Sequence, residues 1–253
     1  MSKAILFDAT MCVNCKECER ACAQKNNLPY DDKVAAETVQ SDHKFTVVLE
    51  KGDKYFRRLC QHCEDPACAS VCPVGAFRKT ADGPVVYDVY KCIGCRYCMA
   101  ACAFGVPKYE WGKLNPRVQK CIMCPDDVAA GRPTACASAC PTGATKFGDR
   151  EELLVEARER IRTNPSQYID KIYGEHEVGG TDVLMLSGVD FAEFGMPVNL
   201  PTDPLPERTM KVLSKIPDFV PVWGLVLGGV YFITHRREEV AAAEAEEKHG
   251  GAR

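Results

Sequence analysis

Sixteen cysteines are the residues of this sequence whose type and spacing carry chemistry. They fall into four groups with none left over: Cys12, Cys15, Cys18, Cys22; Cys60, Cys63, Cys68, Cys72; Cys92, Cys95, Cys98, Cys102; and Cys121, Cys124, Cys136, Cys140. In the third, CIGCRYCMAACAFGVP over residues 92–107, the gaps are two, two and three residues. Three thiolates on one tight loop reach three irons of a single 4Fe-4S cluster, whereas the fourth, carried onto the following helix, points away toward a neighbouring cluster. A group of this kind therefore needs a partner group.

Residues 60–107 supply such a pair without interruption: a cysteine group, a polar turn, the strand-like PVVYD and a second cysteine group. The second group has a four-residue gap carrying Pro66 and still keeps three thiolates on one loop. Its close, Cys72-Pro73, is the ending of the bacterial ferredoxin run. Exchange of fourth ligands gives Cys60, Cys63, Cys68 with Cys102, and Cys92, Cys95, Cys98 with Cys72. By elimination the first and fourth groups pair, with Cys140 completing Cys12, Cys15 and Cys18, and Cys22 completing Cys121, Cys124 and Cys136. That outer unit is discontinuous, 1–59 with 108–148. The long middle gap of the fourth group, rich in glycine and proline, is an insertion that a surface position tolerates. His62 lies between ligands and reads as a cluster neighbour, because four cysteines already fill its group.

Other uses of cysteine fit less well. Disulfides require an oxidising compartment, and MSKAILFDAT lacks the basic and long apolar regions of a signal peptide. Structural zinc wants two close pairs separated by a longer loop, which matches part of the fourth group only. The alternative reading built on it is a zinc-stapled, membrane-anchored interaction protein. A net charge of -3 with 26% charged residues makes no broad electrostatic claim on nucleic acid. No nucleotide loop or catalytic triad is present, so no catalytic residue is assigned.

The elements that must position these groups are short. Residues 3–8, KAILFD, read as a strand, and ATKFG at 144–148 as its neighbour. Residues 44–50 form a further strand, turned back by Gly52 and Asp53 into KYFRRLC. Lys16, Glu17, Glu19 and Arg20 are expected on a solvated loop face, His43 on the surface and Trp111 as core filling. The 149–215 segment reads as a helical and extended connector. Within it, Asp149 and Glu152 start a helix with Leu153, Leu154, Ala157 and Ile161 on one face, ended by Asn164-Pro165. A short helix through Tyr168, Ile169 and Ile172, the strand-like TDVLMLSG, and a proline-rich extended stretch at 196–207 follow.

Residues 219–234, FVPVWGLVLGGVYFIT, carry no charge and suit a single transmembrane helix, placed at 216–235. Gly224, Gly228 and Gly229 weaken a soluble helix but are common in membrane helices, and Trp223 and Tyr231 suit the interfaces. The tail, 236–253, is a solvated helix or disordered. Flanking positive charge is balanced, Arg208, Lys211 and Lys215 before the span against Arg236, Arg237 and Lys248 after it. Only the tight Arg236-Arg237 pair leans the tail toward the cytoplasm.

With four groups in this order, a YGEHEVGG segment at 173–180 and one C-terminal span, the chain resembles the four-cluster iron-sulfur subunits of membrane-bound respiratory oxidoreductases, of the hydrogenase-2 and formate dehydrogenase-N beta type. The resemblance implies an α+β fold class: two bacterial-ferredoxin-like dicluster units plus one C-terminal transmembrane helix. It also implies a non-catalytic electron-transfer subunit with four 4Fe-4S clusters, relaying electrons between a catalytic oxidoreductase subunit and an integral membrane, quinone-reactive subunit. The catalytic partner would be a hydrogenase or a molybdenum or tungsten enzyme of the formate dehydrogenase kind. In such relatives the first group pairs with the fourth and the second with the third. The iron-sulfur domain would lie on the periplasmic face of the cytoplasmic membrane, exported with a partner that carries the signal; the lack of a signal in this sequence equally fits the cytoplasmic face.

Overall fold

A computed structural model describes residues 2–250, with side chains to residue 245. Strand β1 (Lys3–Asp8) leads to the first cysteine group, whose last two cysteines lie on helix α1 (Glu17–Lys25). Helix α2 (Asp32–Ala36) and the hairpin β2 (Val47–Lys51) and β3 (Lys54–Arg58) precede the second group, which carries one helical turn, α3 (Ala67–Ser70). Hairpin β4 (Phe77–Lys79) and β5 (Val85–Tyr87) joins it to the third group and α4 (Tyr97–Ala101). A small ribbon, β6 (Lys108–Tyr109) with β7 (Val118–Gln119), leads to the fourth, where α5 (Pro125–Ala129) fills the stretched gap and α6 (Ala135–Ser138) follows. Then come β8 (Thr145–Asp149), α7 (Arg150–Thr163), β9 (Val183–Leu186), α8 (Leu205–Leu213) and α9 (Ile216–Gly250).

β1 is apolar on both faces, so it has to be central. It pairs antiparallel with β8, Phe7 opposite Thr145, and parallel with β9, Ile5 opposite Val183. A parallel pair needs a long connection, and residues 9–182 lie between these two strands. Ala4 and Leu6 face Leu153, Leu154 and Ala157 of α7. Ile5 and Phe7 face the main core, where Phe56 of β3 stacks on Phe194 at 4.7 Å and meets Phe7 edge-on at 5.7 Å. Aromatic contacts of this geometry contribute about 0.5–1.5 kcal/mol beyond area burial. The same core receives Tyr173, which is fully buried against Phe191 at 4.9 Å. Gly174 beside it has φ 97°, and any Cβ there would stand 2.3 Å from the Val183 carbonyl oxygen, so only glycine fits the YGEHEVGG loop onto β9.

Several sequence expectations shift. The second strand begins three residues later than expected, at Val47. The expected helix through Tyr168 and Ile172 does not form, because its backbone runs beside β9 instead: Ile169 N–H donates to Ser187 O and Tyr173 N–H to Met185 O. Asp149 begins α7 without capping it, since its carboxylate takes Lys3 Nζ at 2.9 Å. The proline-rich stretch yields to α8 at Leu205, earlier than expected, and the tail is helical to Gly250.

The chain divides into two compact units, one ending at Pro206 and one beginning at Glu207. In the second, α9 runs 35 residues, is long and apolar enough to cross a membrane, and exposes every described side chain. With an uncharged stretch at 219–234 and no burial, a helix of this length suits a membrane span better than a core helix. A chain ending at Ser214 is expected to keep its visible absorbance and to leave the membrane fraction for the supernatant. Loss of absorbance in that truncation, read by anaerobic spectroscopy, would instead make the C-terminal helices part of the cysteine-bearing core.

Candidate metal centres

The four cysteine loops share one backbone device. The residue two after the first cysteine, Asn14, His62, Gly94 or Met123, has a left-handed conformation, with φ of 49–70°. For a non-glycine residue that conformation costs about 1–2 kcal/mol, and three of the four are not glycine. It curls the loop so that N–H groups turn onto sulfur: Gly94 N–H lies 3.4 Å from Cys92 Sγ, and Met123 N–H 3.4 Å from Cys121 Sγ. The third cysteine is the second residue of a helix in every group, Cys18 on α1, Cys68 on α3, Cys98 on α4 and Cys136 on α6. Free N–H groups there favour negative charge. After the fourth cysteine, Gly75, Gly105 and Gly143 close three of the groups at φ of 60–69°. Ala76 N–H then reaches Cys72 Sγ at 3.2 Å and Thr145 N–H reaches Cys140 Sγ at 3.4 Å. The first group departs from this, since Cys22 is carried inside α1 and its sulfur faces Asn26 Nδ2 at 3.7 Å.

Packing of α1 on α6 and of α3 on α4 decides which thiols meet. Cys72 shares a small cavity with Cys92, Cys95 and Cys98, walled by Phe77 and Val118. Cys63, Cys68 and Cys102 line another with Phe104 and Val178, and Cys60 acts on Cys63 there. Cys12 lies close enough to Cys140 and Cys15 for their charges to interact, and Cys22 to Cys121, Cys136 and Cys124. The fourth cysteine of each group thus stands with cysteines of its partner group. Adjacent sets are also near enough for their charges to interact, Cys18 with Cys136, Cys121 with Cys60, and Cys68 with Cys98. The sets follow one another in a line, first, fourth, second, third. Exposed Cys15 and Cys95 belong to the loops at its two ends.

Burial raises most of these thiols above their ordinary range, Cys18, Cys68 and Cys121 to about 12 and Cys98 to about 11. At Cys92 burial is outweighed by the Tyr87 hydroxyl and by the Val118 and Gly94 N–H groups, and the thiol is held low. At Cys140 the Thr145 N–H and the Thr142 hydroxyl do the same. Burial, with Lys120 and Lys79 nearby, keeps His62 neutral. Its Nδ1 accepts from Val85 N–H at 2.9 Å, which leaves the proton on Nε2, buried and without a protein partner.

An iron-sulfur cluster fits this donor set. Its irons compensate the thiolate charge that burial opposes, and its sulfides accept from inward N–H groups and orphan donors. A single zinc fits less well, because among the described residues no three His, Cys, Asp or Glu side chains converge on one ion position.

Two residues, Glu19 and Trp111, were misplaced by sequence reasoning. Glu19 is not solvated: its carboxylate is 0% exposed, pairs with Lys44 Nζ at 2.9 Å and accepts from Val48 N–H at 2.6 Å. Lys16 and Glu17 are half-buried, and Arg20 is exposed as expected. Trp111 is 70% exposed rather than core, packed edge-on to Tyr109 beneath the Arg96 guanidinium. His43, half-buried, lies between Glu37 and Asp42. Sequence reading passed over the buried cations Arg57 and Lys120 altogether. The available signal for Arg57 was TVVLE opposite KYFRR, where the lack of alternation marks strands covered on both faces. Glu19→Gln should cost about 3–5 kcal/mol by stranding Lys44, and Glu19→Gln with Lys44→Met less, as read from urea midpoints of absorbance loss.

Residues 52–150 match the family model of the 4Fe-4S dicluster domain. Over its length the chain is 42% identical to a protein of Nitratidesulfovibrio vulgaris, covering 97% of this chain and 70% of that one. It is 33% identical to the hydrogenase-2 operon protein HybA of Escherichia coli O157:H7, covering 78% and 73%. It is likewise 33% identical to the formate dehydrogenase iron-sulfur subunit of Haemophilus influenzae, covering 90% and 77%.

Proposed function

The chain belongs to the family of 4Fe-4S iron-sulfur subunits of oxidoreductase complexes, and from that membership we propose that it carries electrons through four clusters between a catalytic subunit and a quinone-reactive membrane subunit. Cys12, Cys15, Cys18 and Cys140 would hold one cluster, and Cys22, Cys121, Cys124 and Cys136 the next. Cys60, Cys63, Cys68 and Cys102 would hold a third, and Cys72, Cys92, Cys95 and Cys98 the last. The first two sets form the discontinuous unit and the others the 60–107 unit. Each bound cluster would supply one-electron chemistry at a potential set by hydrogen bonds, charge and burial.

The protein's own contribution is to fix and insulate. Left-handed loops aim N–H groups at sulfur, and Phe77, Phe104, Val118 and Val178 wall the inner cavities against water. The observation that supports a relay most is the unbroken line of thiol sets between exposed Cys15 and exposed Cys95. A store of iron would not need two surface ends. One end would face the catalytic partner, a hydrogenase or a molybdenum or tungsten formate dehydrogenase-like subunit, and the other the quinone-reactive subunit. α9 would anchor the chain in the cytoplasmic membrane, with the iron-sulfur domain on the periplasmic side.

Anaerobic analysis should return about sixteen irons and sixteen sulfides per chain, four for each set of four thiols. A value near twelve would assign a three-iron cluster or zinc to one set, and colourless protein would assign zinc throughout. Cys72→Ser should alter the paramagnetic signal of the cluster on Cys92, Cys95 and Cys98, and Cys102→Ser that of the cluster on Cys60, Cys63 and Cys68. Two variants that each disturb the cluster of their own group would refute the crossed assignment.

A further inference from the structure

Two cations are sealed inside the molecule with no carboxylate to answer them. Arg57 of β3 is 1% exposed, its Nε donating to Thr46 Oγ1 at 2.8 Å and an Nη to Thr145 Oγ1 at 3.4 Å. Lys120 is 3% exposed, its Nζ donating to Val85 O at 2.6 Å and Cys121 O at 2.8 Å and lying 5.8 Å from the Phe77 ring centre. Among the described residues neither has an Asp or Glu oxygen within 4 Å, whereas Glu19 is matched by Lys44 and Asp182 by Lys79. Carbonyls and hydroxyls satisfy the donors but leave the charge, and a buried unpaired charge is strongly unfavourable.

Cysteines stand near both cations. Arg57 lies close enough to Cys136, Cys18 and Cys22 for their charges to interact, and Thr145, which accepts from its Nη, turns its own N–H onto Cys140 Sγ at 3.4 Å. Cys18 belongs to one thiol set and Cys22 and Cys136 to the next, so the guanidinium stands at their junction. Lys120 adjoins Cys121, donates to its carbonyl at 2.8 Å and lies close enough to Cys68 for their charges to interact, at the junction that follows. Two successive junctions in the line are thus each occupied by a fixed positive charge, and the set of Cys22, Cys121, Cys124 and Cys136 feels both.

We propose that Arg57 and Lys120 are the built-in counter-charges of these junctions and that each raises the reduction potentials of the two clusters beside it. Reduction adds one negative charge to a cluster, and a cation held nearby in a low-dielectric interior favours that state. This inference rests on the four-cluster reading above. It makes the two residues positioning groups for electrons, with no part in holding iron.

The test is an anaerobic redox titration of the full-length protein followed by paramagnetic resonance, in Arg57→Gln, Arg57→Lys, Lys120→Met and Lys120→Arg. Signals are assigned through the cysteine variants. Arg57→Gln should lower the reduced-to-oxidised ratio at fixed potential about tenfold or more, a shift of about 59 mV per tenfold, for the clusters on Cys18 and on Cys136. Lys120→Met should do so for those on Cys68 and on Cys121. The cluster on Cys22, Cys121, Cys124 and Cys136 should respond to both. Arg57→Lys and Lys120→Arg should stay near wild type. If Arg57→Gln fails to load iron while Arg57→Lys loads fully, the need for charge is upheld. Failure in both, equal shifts in both, or unmoved potentials with full iron would overturn the proposal. Wild-type iron well below sixteen would instead refute the four-cluster reading, independently of any shift.

Discussion

The meeting of each fourth cysteine with cysteines of another group governs the rest of the fold. Because Cys140 stands with Cys12, the chain must return after the whole inner pair of groups to lie beside its own start. The antiparallel register of β8 on β1 is that return, and α6 on α1 is its helical counterpart. The inner pair is then an excursion between β3 and β6, closed by α3 on α4. Ordinary hydrophobic burial seals the arrangement: Phe56, Phe191 and Phe194 fill one side of β1, and α7 covers the other.

Such a fold concentrates charge where water is absent. Buried thiols resist ionisation, and the molecule answers locally with left-handed loops, helix starts and oriented amides rather than with carboxylate-balanced ion pairs. Glu19 and Lys44, which are paired with each other, show the contrast. Arg57 and Lys120 have no carboxylate partner among the described residues and donate to hydroxyl and carbonyl oxygens instead.

The sequence made the cysteine groups, the first hairpin and the pairing of β1 with β8 legible, because these depend on spacing and on short apolar runs flanked by turns. Glu19 was not legible, since a glutamate in KECER reads as solvated unless Lys44 is known to reach it across the fold. Trp111 failed for the converse reason: its size suggested core, but the ribbon that carries it lies at the surface, where Arg96 and Tyr109 are its company. The stretch after α7 had helical spacing over too few residues, and amide pairing beside β9 outcompeted it. Arg57 and Lys120 could be recognised only once the thiols around them had positions.

The parallel seating of β9 on β1 has a consequence in time. Ile5 cannot pair with Val183 until residue 183 has left the ribosome, by which point all sixteen cysteines have already been made. Synthesis at about 5–20 residues per second leaves one edge of β1 open for seconds, and contacts this distant in sequence form late. Arrival of β9, with the Tyr173 loop packed upon it, closes that edge. The order of manufacture thus leaves that edge uncovered until every cysteine of the four groups has been made.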